Sequence, residues 1–370
     1  MNDFHGIIFA YSASPELREL VSRRTAASMP IFGRYRVIDF ALSSLMNAGI
    51  HDVGVIMQRD YQSLMDHVRS GKSWDMSRKD GGIRLLPPFG MPGYHSGNYF
   101  GTMEALNAVG DYVRGIPQKY VVLLLGSMCA NLDLRAAARM HQHSGAPITA
   151  ICSTTVPNAP QHRYIVGPDG YVKEARFYVE GESSGFTSME GYIIDKDLLV
   201  KMMDECAAKN LYRFHRDAIA AYLAGGGKMD VYVHEGYYQP IRSVDLYYQA
   251  NRDMLDPEKL HDLFCDERPI RTRHSALVST YYGEKAVSKN SLIGDNCRIL
   301  GTVENCVLSS EVVVEEGAYL KDCIVLRRTT IEKGVKLENV IVDKDCTISP
   351  AVELKGNERL PLVVPKGSRI

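Results

Sequence analysis

The sequence predicts an α/β protein of two domains, in which a mixed, mostly parallel sheet flanked by helices is followed by a three-sided β-solenoid. The chain has 370 residues, which exceeds the usual size of one domain. Short apolar runs alternate with longer amphipathic stretches over residues 1–250, and after residue 287 an aliphatic pattern repeats. Alternating strands and helices are typical of parallel sheets, whereas in-phase aliphatic repeats are typical of stacked coils.

Residues 1–250 form the predicted α/β domain. Its first apolar run, at 6–11, is followed by an amphipathic stretch and a second apolar run at 53–57. The run YVVLLLG at 120–126 lacks polar alternation, as expected of a strand that helices cover on both faces. The alternation continues to the strand-like MDVYVHEGYY at 229–238. We therefore expect a doubly wound or mixed sheet.

Residues 251–287 follow no single helix or strand period and are predicted to be a linker. Over 288–370, four segments share one pattern, each with a second aliphatic residue six positions after its start, and Val325 and Val342 add a third step. Three steps per coil predict a three-sided solenoid that buries each coil's aliphatic residues against the next. A β-sandwich with coincidental spacing is the alternative. The segments begin at Ile293, Val314, Ile331 and Ile348, at intervals of 21, 17 and 17 residues.

Charge and cysteine content argue against several kinds of partner. The 43 basic and 44 acidic residues give a formal net charge of −1, so no global field favours nucleic acid or an anionic membrane. The longest apolar run is too short to cross a bilayer, and the N-terminus lacks the basic segment of a signal peptide, so we expect a cytoplasmic protein. The eight cysteines form no CxxC pair, which predicts reduced thiols and no metal site.

A nucleotide-binding domain of this class should have a glycine-rich turn after its first strand, because a Cβ would keep backbone N–H groups away from phosphates. Here the strand GIIFA is followed by YSASPELREL, which contains no glycine. Pro15 and Glu16 open the next helix, and a carboxylate beside a triphosphate would repel it. The expected phosphate loop is therefore missing.

The segment from Arg24 to Ile56 resembles the signature region of the glucose-1-phosphate adenylyltransferases, also called ADP-glucose pyrophosphorylases. Two later landmarks, GTMEA at 101–105 and the pair Ala250-Asn251, also match, and the resemblance extends over essentially the whole chain. It implies a nucleotidyltransferase domain joined to a C-terminal left-handed β-helix of hexapeptide-type repeats. The family makes ADP-glucose from ATP and glucose 1-phosphate, with Mg²⁺ held by carboxylates. The matching signature residues are Pro30, Gly33, Tyr35, Arg36, Ile38, Asp39, Phe40, Leu42, Ser43, Asn47, Gly49 and Ile50.

Five positions at which the family carries catalytic or substrate-binding groups hold other residues in this chain. The phosphate-facing arginine corresponds to Glu16, and the lysine of a Lys-Pro pair corresponds to Ala26. The two metal-binding aspartates correspond to Ser127 and Pro240, and the sugar-phosphate lysine corresponds to Gly181. Such groups each contribute several kcal/mol to transition-state stabilisation, so the resemblance implies a chain without its own catalysis.

The same correspondence outlines a vestigial nucleotide and sugar pocket. Arg242 stands where the family has a glycine, and Glu190 is inserted into, or shifted within, a sugar-binding Ser-Met-Gly stretch. A Gly-Thr pair that opens a helix offers backbone N–H groups to an anion, and plain capping with Glu104 is the alternative. The pocket comprises Tyr11, Ser12, Gly101, Thr102, Gly126, Ser188 and Glu190.

This pattern resembles that of the GlgD-type subunits, which lack the catalytic motifs and associate with catalytic GlgC-type chains. The resemblance implies a regulatory subunit of a heterotetramer in bacterial glycogen synthesis; the chain itself is expected to bind no cofactor, and its partner uses Mg²⁺. Arg34 falls where the family has an effector-contacting lysine, and Arg36 is near it, so a phosphorylated sugar or phosphate is the expected effector. The alternatives are a solvated Arg34 and an internal pair between Arg36 and Asp39.

Two further functions stay open from the sequence. An active sugar-phosphate nucleotidylyltransferase with an unusual site would need replacement carboxylates and cations that the sequence does not reveal. A hexapeptide-repeat acyltransferase or scaffold would need a longer solenoid and a histidine at a coil edge. The repeat region contains no histidine, and His274 lies in the predicted linker.

Overall fold

The computed structural model describes residues 1–11, 14–79, 81–88, 99–157, 159–181, 184–273 and 276–370. Its α/β part also contains short 3₁₀ helices at Pro15–Val21, Ala26–Ser28 and Lys72–Trp74 and a π-helical turn at Phe214–Ile219. The elements are, in chain order, β1 (Phe4–Phe9), β2 (Pro30–Ile31), β3 (Tyr35–Arg36), α1 (Ile38–Ala48), β4 (Val53–Ile56), α2 (Gln62–Val68), β5 (Ile83–Leu86), α3 (Thr102–Ala108), α4 (Gly110–Arg114), β6 (Tyr120–Leu125), β7 (Met128–Ala130), α5 (Leu134–Ser144), β8 (Ile148–Ser153), β9 (Gln161–Val166), β10 (Val172–Val179), β11 (Phe186–Asp195), α6 (Lys196–Ala208), α7 (Ala220–Ala224), β12 (Met229–His234), β13 (Tyr238–Pro240), α8 (Val244–Asp253) and α9 (Pro257–Leu263).

One mixed sheet forms the centre of this part. Strand β1 lies between β4 and β6 and is parallel to both, and β5 continues the parallel set beyond β4. Strand β11 runs antiparallel to β6, β8 and β9, and β8 pairs in parallel with β12. Helices α1 and α5 pack on one face, and α3 and α6 pack on the other. Strands β1 and β8 are therefore buried along their whole length, and the predicted mixed α/β sheet is confirmed.

The C-terminal part is a left-handed β-helix with three flat faces, each a parallel sheet of five strands. Inward aliphatic side chains of successive coils stack into one continuous core. The strands are β14 (Tyr281–Tyr282), β15 (Val287–Lys289), β16 (Leu292–Ile293), β17 (Arg298–Ile299), β18 (Thr302–Glu304), β19 (Val307–Leu308), β20 (Val313–Val314), β21 (Tyr319–Lys321), β22 (Ile324–Val325), β23 (Thr330–Ile331), β24 (Lys336–Glu338), β25 (Val340–Val342), β26 (Thr347–Ile348), β27 (Glu353–Lys355) and β28 (Leu362–Val364).

The repeat register is correct for three copies and wrong for the first. Val314, Ile331 and Ile348 stack on one face, as predicted. The residue that stacks on Val314 in the preceding coil is Ile299, whereas the predicted Ile293 belongs to another face. That coil is shorter than the later ones, so the predicted start of the first copy lies one hexad too early.

The stretch 251–287 contains more structure than a linker. It includes the end of α8, all of α9 and the first solenoid strand, which lies before the predicted boundary at 288. Helix α9 has clear start signals, because the Asp256 side chain accepts a hydrogen bond from the Glu258 N–H at 3.0 Å and Pro257 occupies the first turn. The segment DPEKL therefore contains a helix start signal, although its polar residues follow no clear helical period.

A shared apolar core joins the two parts. Tyr247 and Tyr248 on α8 lie in a cluster with Ile324 and Ile341 of the solenoid. The Tyr248 hydroxyl donates to the Asp322 carbonyl at 2.7 Å. A buried ion pair between Arg24 and Asp343 adds a charged contact between the parts. The solenoid is thus held against α8 and against the segment around Arg24.

Among the ranges given above, no helix has the length and apolar content needed to cross a bilayer.

Candidate functional site

The candidate site lies where the central parallel strands β1 and β6 end, which is where open α/β sheets bind ligands. Tyr11 follows β1, and Gly126 and Ser127 follow β6. The Gly126 N–H donates to the Phe9 carbonyl at 2.9 Å, and a Cβ on this glycine would come within 3.2 Å of Ala27. The glycine therefore permits a close approach of two segments at the floor of the cleft.

The two positions that correspond to the family's metal-binding aspartates are neighbours in space. The Ile241 N–H donates to the Ser127 carbonyl at 2.8 Å. Next to this contact, Met128 stands opposite Pro240 in the antiparallel pair of β7 and β13. Ser127 and Pro240 are both buried, and neither offers a carboxylate. The structure therefore brings together the two positions that the resemblance assigns to metal-binding aspartates, and neither side chain is a metal ligand of that kind.

An aromatic side chain occupies the position at which the phosphate loop should begin. The Tyr11 hydroxyl is buried beside Thr102, and burial raises the pKa of Tyr11. Its ring lies 5.4 Å from the ring of Tyr99. Ser12, which the sequence also assigned to the pocket, lies outside the described residues. Tyr11 thus fills space that a glycine would leave open to phosphates.

The positions that should carry phosphate-binding cations are also unsuited to that role. Glu16 is exposed, whereas Leu17 and Leu20 of the same short helix are buried. Ala26 is fully buried among apolar side chains, where an unpaired lysine charge would be costly. Gly181 is exposed, and no described atom lies within 4 Å of where its Cβ would stand.

The Gly-Thr pair at the start of α3 packs against protein. A Cβ on Gly101 would come within 2.1 Å of the Tyr212 carbonyl oxygen. The Met103 N–H donates to that same oxygen at 2.9 Å, and the Glu104 carboxylate accepts from the Phe100 N–H. These contacts favour the capping alternative over an anion site.

An ion pair crosses the middle of the cleft. Arg242 donates to the Glu190 carboxylate and, at 3.2 Å, to the Pro160 carbonyl. Burial disfavours the charged form of both side chains, but their mutual attraction outweighs it, lowering the pKa of Glu190 and raising that of Arg242. Glu190 lies in a β-bulge between Ser188 and Gly191 with a φ of 53°. This left-handed backbone region favours glycine, and a non-glycine residue is held there at a cost in conformational energy.

Two histidines extend this network. His215 Nε2 lies 3.3 Å from Glu190 Oε2, and His215 Nδ1 lies 2.7 Å from the Tyr192 hydroxyl. The His162 ring centroid lies 4.3 Å from that of His215. The Ser188 hydroxyl lies 3.1 Å from the Tyr192 hydroxyl and accepts from the Glu190 N–H. No sequence pattern indicates either histidine, because His162 lies on β9 and His215 on the π-helical turn, far apart in the chain.

A second cavity, of about 160 Å³, lies between the two parts of the molecule and is strongly basic. Two of its cations, Arg34 and Arg36, are the effector candidates of the sequence analysis, and three others come from distant segments. The lining also includes Asp295 and the hydroxyl-bearing Ser309 and Ser310. The basic residues are Arg34, Arg36, Arg273, Arg327 and Lys344.

Contacts hold most of these cations in place. Arg36 Nη1 donates to the Ser63 carbonyl at 2.8 Å, and the Arg36 N–H donates to Asp39 at 2.9 Å. The Asp39 carboxylate therefore accepts from the backbone N–H of Arg36, whereas the Arg36 guanidinium donates to other acceptors. Burial, with the nearby charges of Arg36 and Arg24, lowers the pKa of Lys344 to about 7. His274 lies outside the described residues.

Comparison with known proteins follows the same two parts. The nucleotidyl transferase family model matches residues 6–256, and the model for a GlmU-like, C-terminal hexapeptide matches residues 275–359. A glucose-1-phosphate adenylyltransferase of Clostridium botulinum strain Alaska E43 is 31% identical over 85% of this chain and 83% of its own length. The glycogen biosynthesis protein GlgD of Bacillus subtilis strain 168 is 30% identical over 86% of this chain and 83% of its own.

Proposed function

Because the chain belongs to the glucose-1-phosphate adenylyltransferase family of nucleotidyl transferases, we propose that it is a non-catalytic regulatory subunit that tunes ADP-glucose synthesis for glycogen formation. One observation carries the proposal. The neighbouring positions Ser127 and Pro240 hold no carboxylate where the family binds its metal ion. Without that ion, the charge that develops on the α-phosphate of ATP has no counterion.

The surrounding replacements support this proposal because they suit one another. Tyr11 fills the start of the phosphate loop, and Ala26 packs into an apolar core. Glu190 and Arg242 neutralise each other within the cleft. The chain's own side chains occupy the pocket, which favours a non-catalytic role for this chain over an active enzyme with an unusual site.

The proposed partner is a catalytic GlgC-type chain, and the proposed assembly is a heterotetramer that uses the partner's Mg²⁺. The solenoid and the sheet core are intact, so the chain retains the overall form of a catalytic subunit. We place the assembly in the cytoplasm, where the eight free thiols stay reduced.

An activity assay tests the proposal. We expect the purified chain to form ADP-glucose at a rate lower than a GlgC-type partner by a factor on the order of 10³ or more, because its metal carboxylates are missing. Mixing the two chains should raise the partner's activity. Saturating Mg²⁺, ATP and glucose 1-phosphate are used throughout, and the heat-denatured chain serves as the control for the mixture.

Two outcomes would contradict the proposal. Robust synthesis by the chain alone would mean that an unusual catalytic site exists. An unchanged rate in the mixture, together with separate elution of the two chains from a sizing column, would remove the regulatory role.

We further propose that the basic cavity binds an anionic effector such as a phosphorylated sugar or phosphate. Five cations and one carboxylate line it, so an anion lowers the mutual repulsion of the cations. Ser309 and Ser310 add hydroxyl donors, and the guanidinium groups suit bidentate binding of phosphate. The cavity lies between the α/β part and the solenoid, so occupancy would strengthen their contact.

Sulfate binding tests this cavity, because sulfate keeps its charge between pH 6 and pH 8. Lys344, with its pKa near 7, loses its charge as the pH rises, so we expect the Kd for sulfate to increase by about tenfold, equal to roughly 1.4 kcal/mol. His67 and Tyr35 also face the cavity. The Lys344→Gln chain should bind sulfate more weakly at pH 6 and show a flat profile, as followed by titration calorimetry. A profile unchanged by this substitution would assign the pH effect to another group.

A further inference from the structure

We propose that His162, Glu190 and His215 form a binding site for one divalent transition-metal ion of the zinc class, a site that the sequence did not predict. Each residue offers one ligand atom, and the three atoms lie within 4.8 Å of one another. Two imidazoles and one carboxylate form a donor set typical of zinc sites that keep an open coordination position. None of the three residues occupies the positions that correspond to the metal-binding aspartates, Ser127 and Pro240.

The spacing of two ligands already suits a metal ion. With metal–ligand distances near 2.05 Å, adjacent ligands of a tetrahedral zinc ion are separated by about 3.3 Å. His215 Nε2 and Glu190 Oε2 lie 3.3 Å apart. The His162 ring centroid is 4.3 Å from that of His215, and the His162 ligand atom lies within 4.8 Å of the other two.

Neighbouring groups orient these ligands as they do in metal sites. A metal-binding histidine normally uses its other ring nitrogen as a donor to a fixed acceptor. His215 Nδ1 lies 2.7 Å from the Tyr192 hydroxyl, which leaves Nε2 facing the carboxylate. Tyr192 is itself held by the Tyr164 hydroxyl at 2.7 Å. Arg242 holds the other oxygen of Glu190 and so fixes the plane of the carboxylate.

His162 supplies an independent indication that a ligand is missing. Its side chain is 4% exposed, and among the described residues its Nδ1 has no hydrogen-bond partner. Buried polar atoms without partners are rare in folded proteins, so this one indicates that a ligand of the His162 ring is absent.

Backbone irregularity occurs at two of the three ligands. Glu190 adopts a left-handed φ of 53° within a β-bulge. His215 lies in a π-helical turn at Phe214–Ile219. Non-glycine residues in the left-handed region and π-helical turns are both enriched at functional sites. Arg242 opposes a cation in this place, so we expect weaker binding than at a closed structural zinc site.

The test uses the full chain alone, free of affinity tag and stripped of metal with a chelator. Titration with Co²⁺ should produce visible absorption bands with one ion per chain, and Zn²⁺ should displace Co²⁺ from the same site. We expect His162→Asn and His215→Asn each to weaken metal binding by about 100-fold or more. This loss exceeds that usually seen when a residue that hydrogen-bonds to a metal ligand is replaced. Arg242→Gln should bind more tightly, because a competing positive charge is removed.

His5→Asn is the matched control. His5 is also buried with a partnerless Nδ1 in the described part of the chain, but it lies at the start of β1 near Tyr112. This variant should bind Co²⁺ as the unmodified chain does. Absence of Co²⁺ and Zn²⁺ binding by the unmodified chain overturns the proposal whatever the variants do. So does unchanged binding in the folded His215→Asn chain. No catalytic partner is present, so the outcome is independent of the regulatory proposal.

Discussion

Substitution Asp343→Ala is expected to lower the free energy of unfolding by about 3–5 kcal/mol, because it leaves a buried guanidinium without its counterion. Arg24 and Asp343 are 7% and 1% exposed, and Arg24 Nε is already committed to the Leu20 carbonyl at 2.7 Å. Asp343 also accepts from the Lys344 N–H at 2.6 Å. Chemical denaturation of the Asp343→Ala variant and of the unmodified chain measures the difference in the free energy of unfolding.

The pair Lys336–Glu353 on the solenoid surface provides the control for this experiment. Its side chains are 64% and 69% exposed, so Glu353→Ala should cost less than about 1 kcal/mol. The double variant Arg24→Met, Asp343→Leu should recover much of the loss, because no unpaired charge remains. Equal costs for Asp343→Ala and Glu353→Ala would show that the buried pair does not hold the two parts together.

Leu337→Ala should destabilise the protein by about 2–5 kcal/mol, since it opens a cavity in the solenoid core. Leu337 is 1% exposed and stacks between Leu320 and Leu354 of the neighbouring coils. Each coil is stabilised mainly by its neighbours, so a void at this point weakens contacts on both sides. Thermal unfolding followed by circular dichroism, with denaturant titration, gives the change.

The adjacent residue of β24 serves as the matched variant. Lys336 points outward, so Lys336→Ala should change stability by less than about 1 kcal/mol. A similar loss for the two substitutions would mean that the inward stacking at residue 337 is not what stabilises the coils.

The fold was predictable from the sequence wherever a pattern repeats or persists. Val314, Ile331 and Ile348 recur at one interval and stack as expected. The first coil was misplaced because it is shorter, so the position of Ile293 satisfied the pattern by coincidence. Helix α9 was missed because its polar composition hid an apolar contact face, although Asp256 and Pro257 marked its start.

Sequence reasoning could reach the candidate site only at positions where one residue alone departs from the family's pattern. The resemblance assigns Ser127 and Pro240 to one site, and the structure brings the two positions together through Ile241 and Met128. The contact of Glu190 with Arg242 depends on how β11 and the segment after β13 meet, which no local pattern contains. The same holds for Lys344, which reaches the basic cavity from the far end of the chain.

The pairing of Glu190 with Arg242 means that the two residues should change together. Each side chain is mostly buried, so either charge would be costly without its partner. Replacement of one of the two residues alone should therefore be selected against, whereas replacement of both leaves no unpaired charge. We expect the two positions to covary among chains that share this cleft.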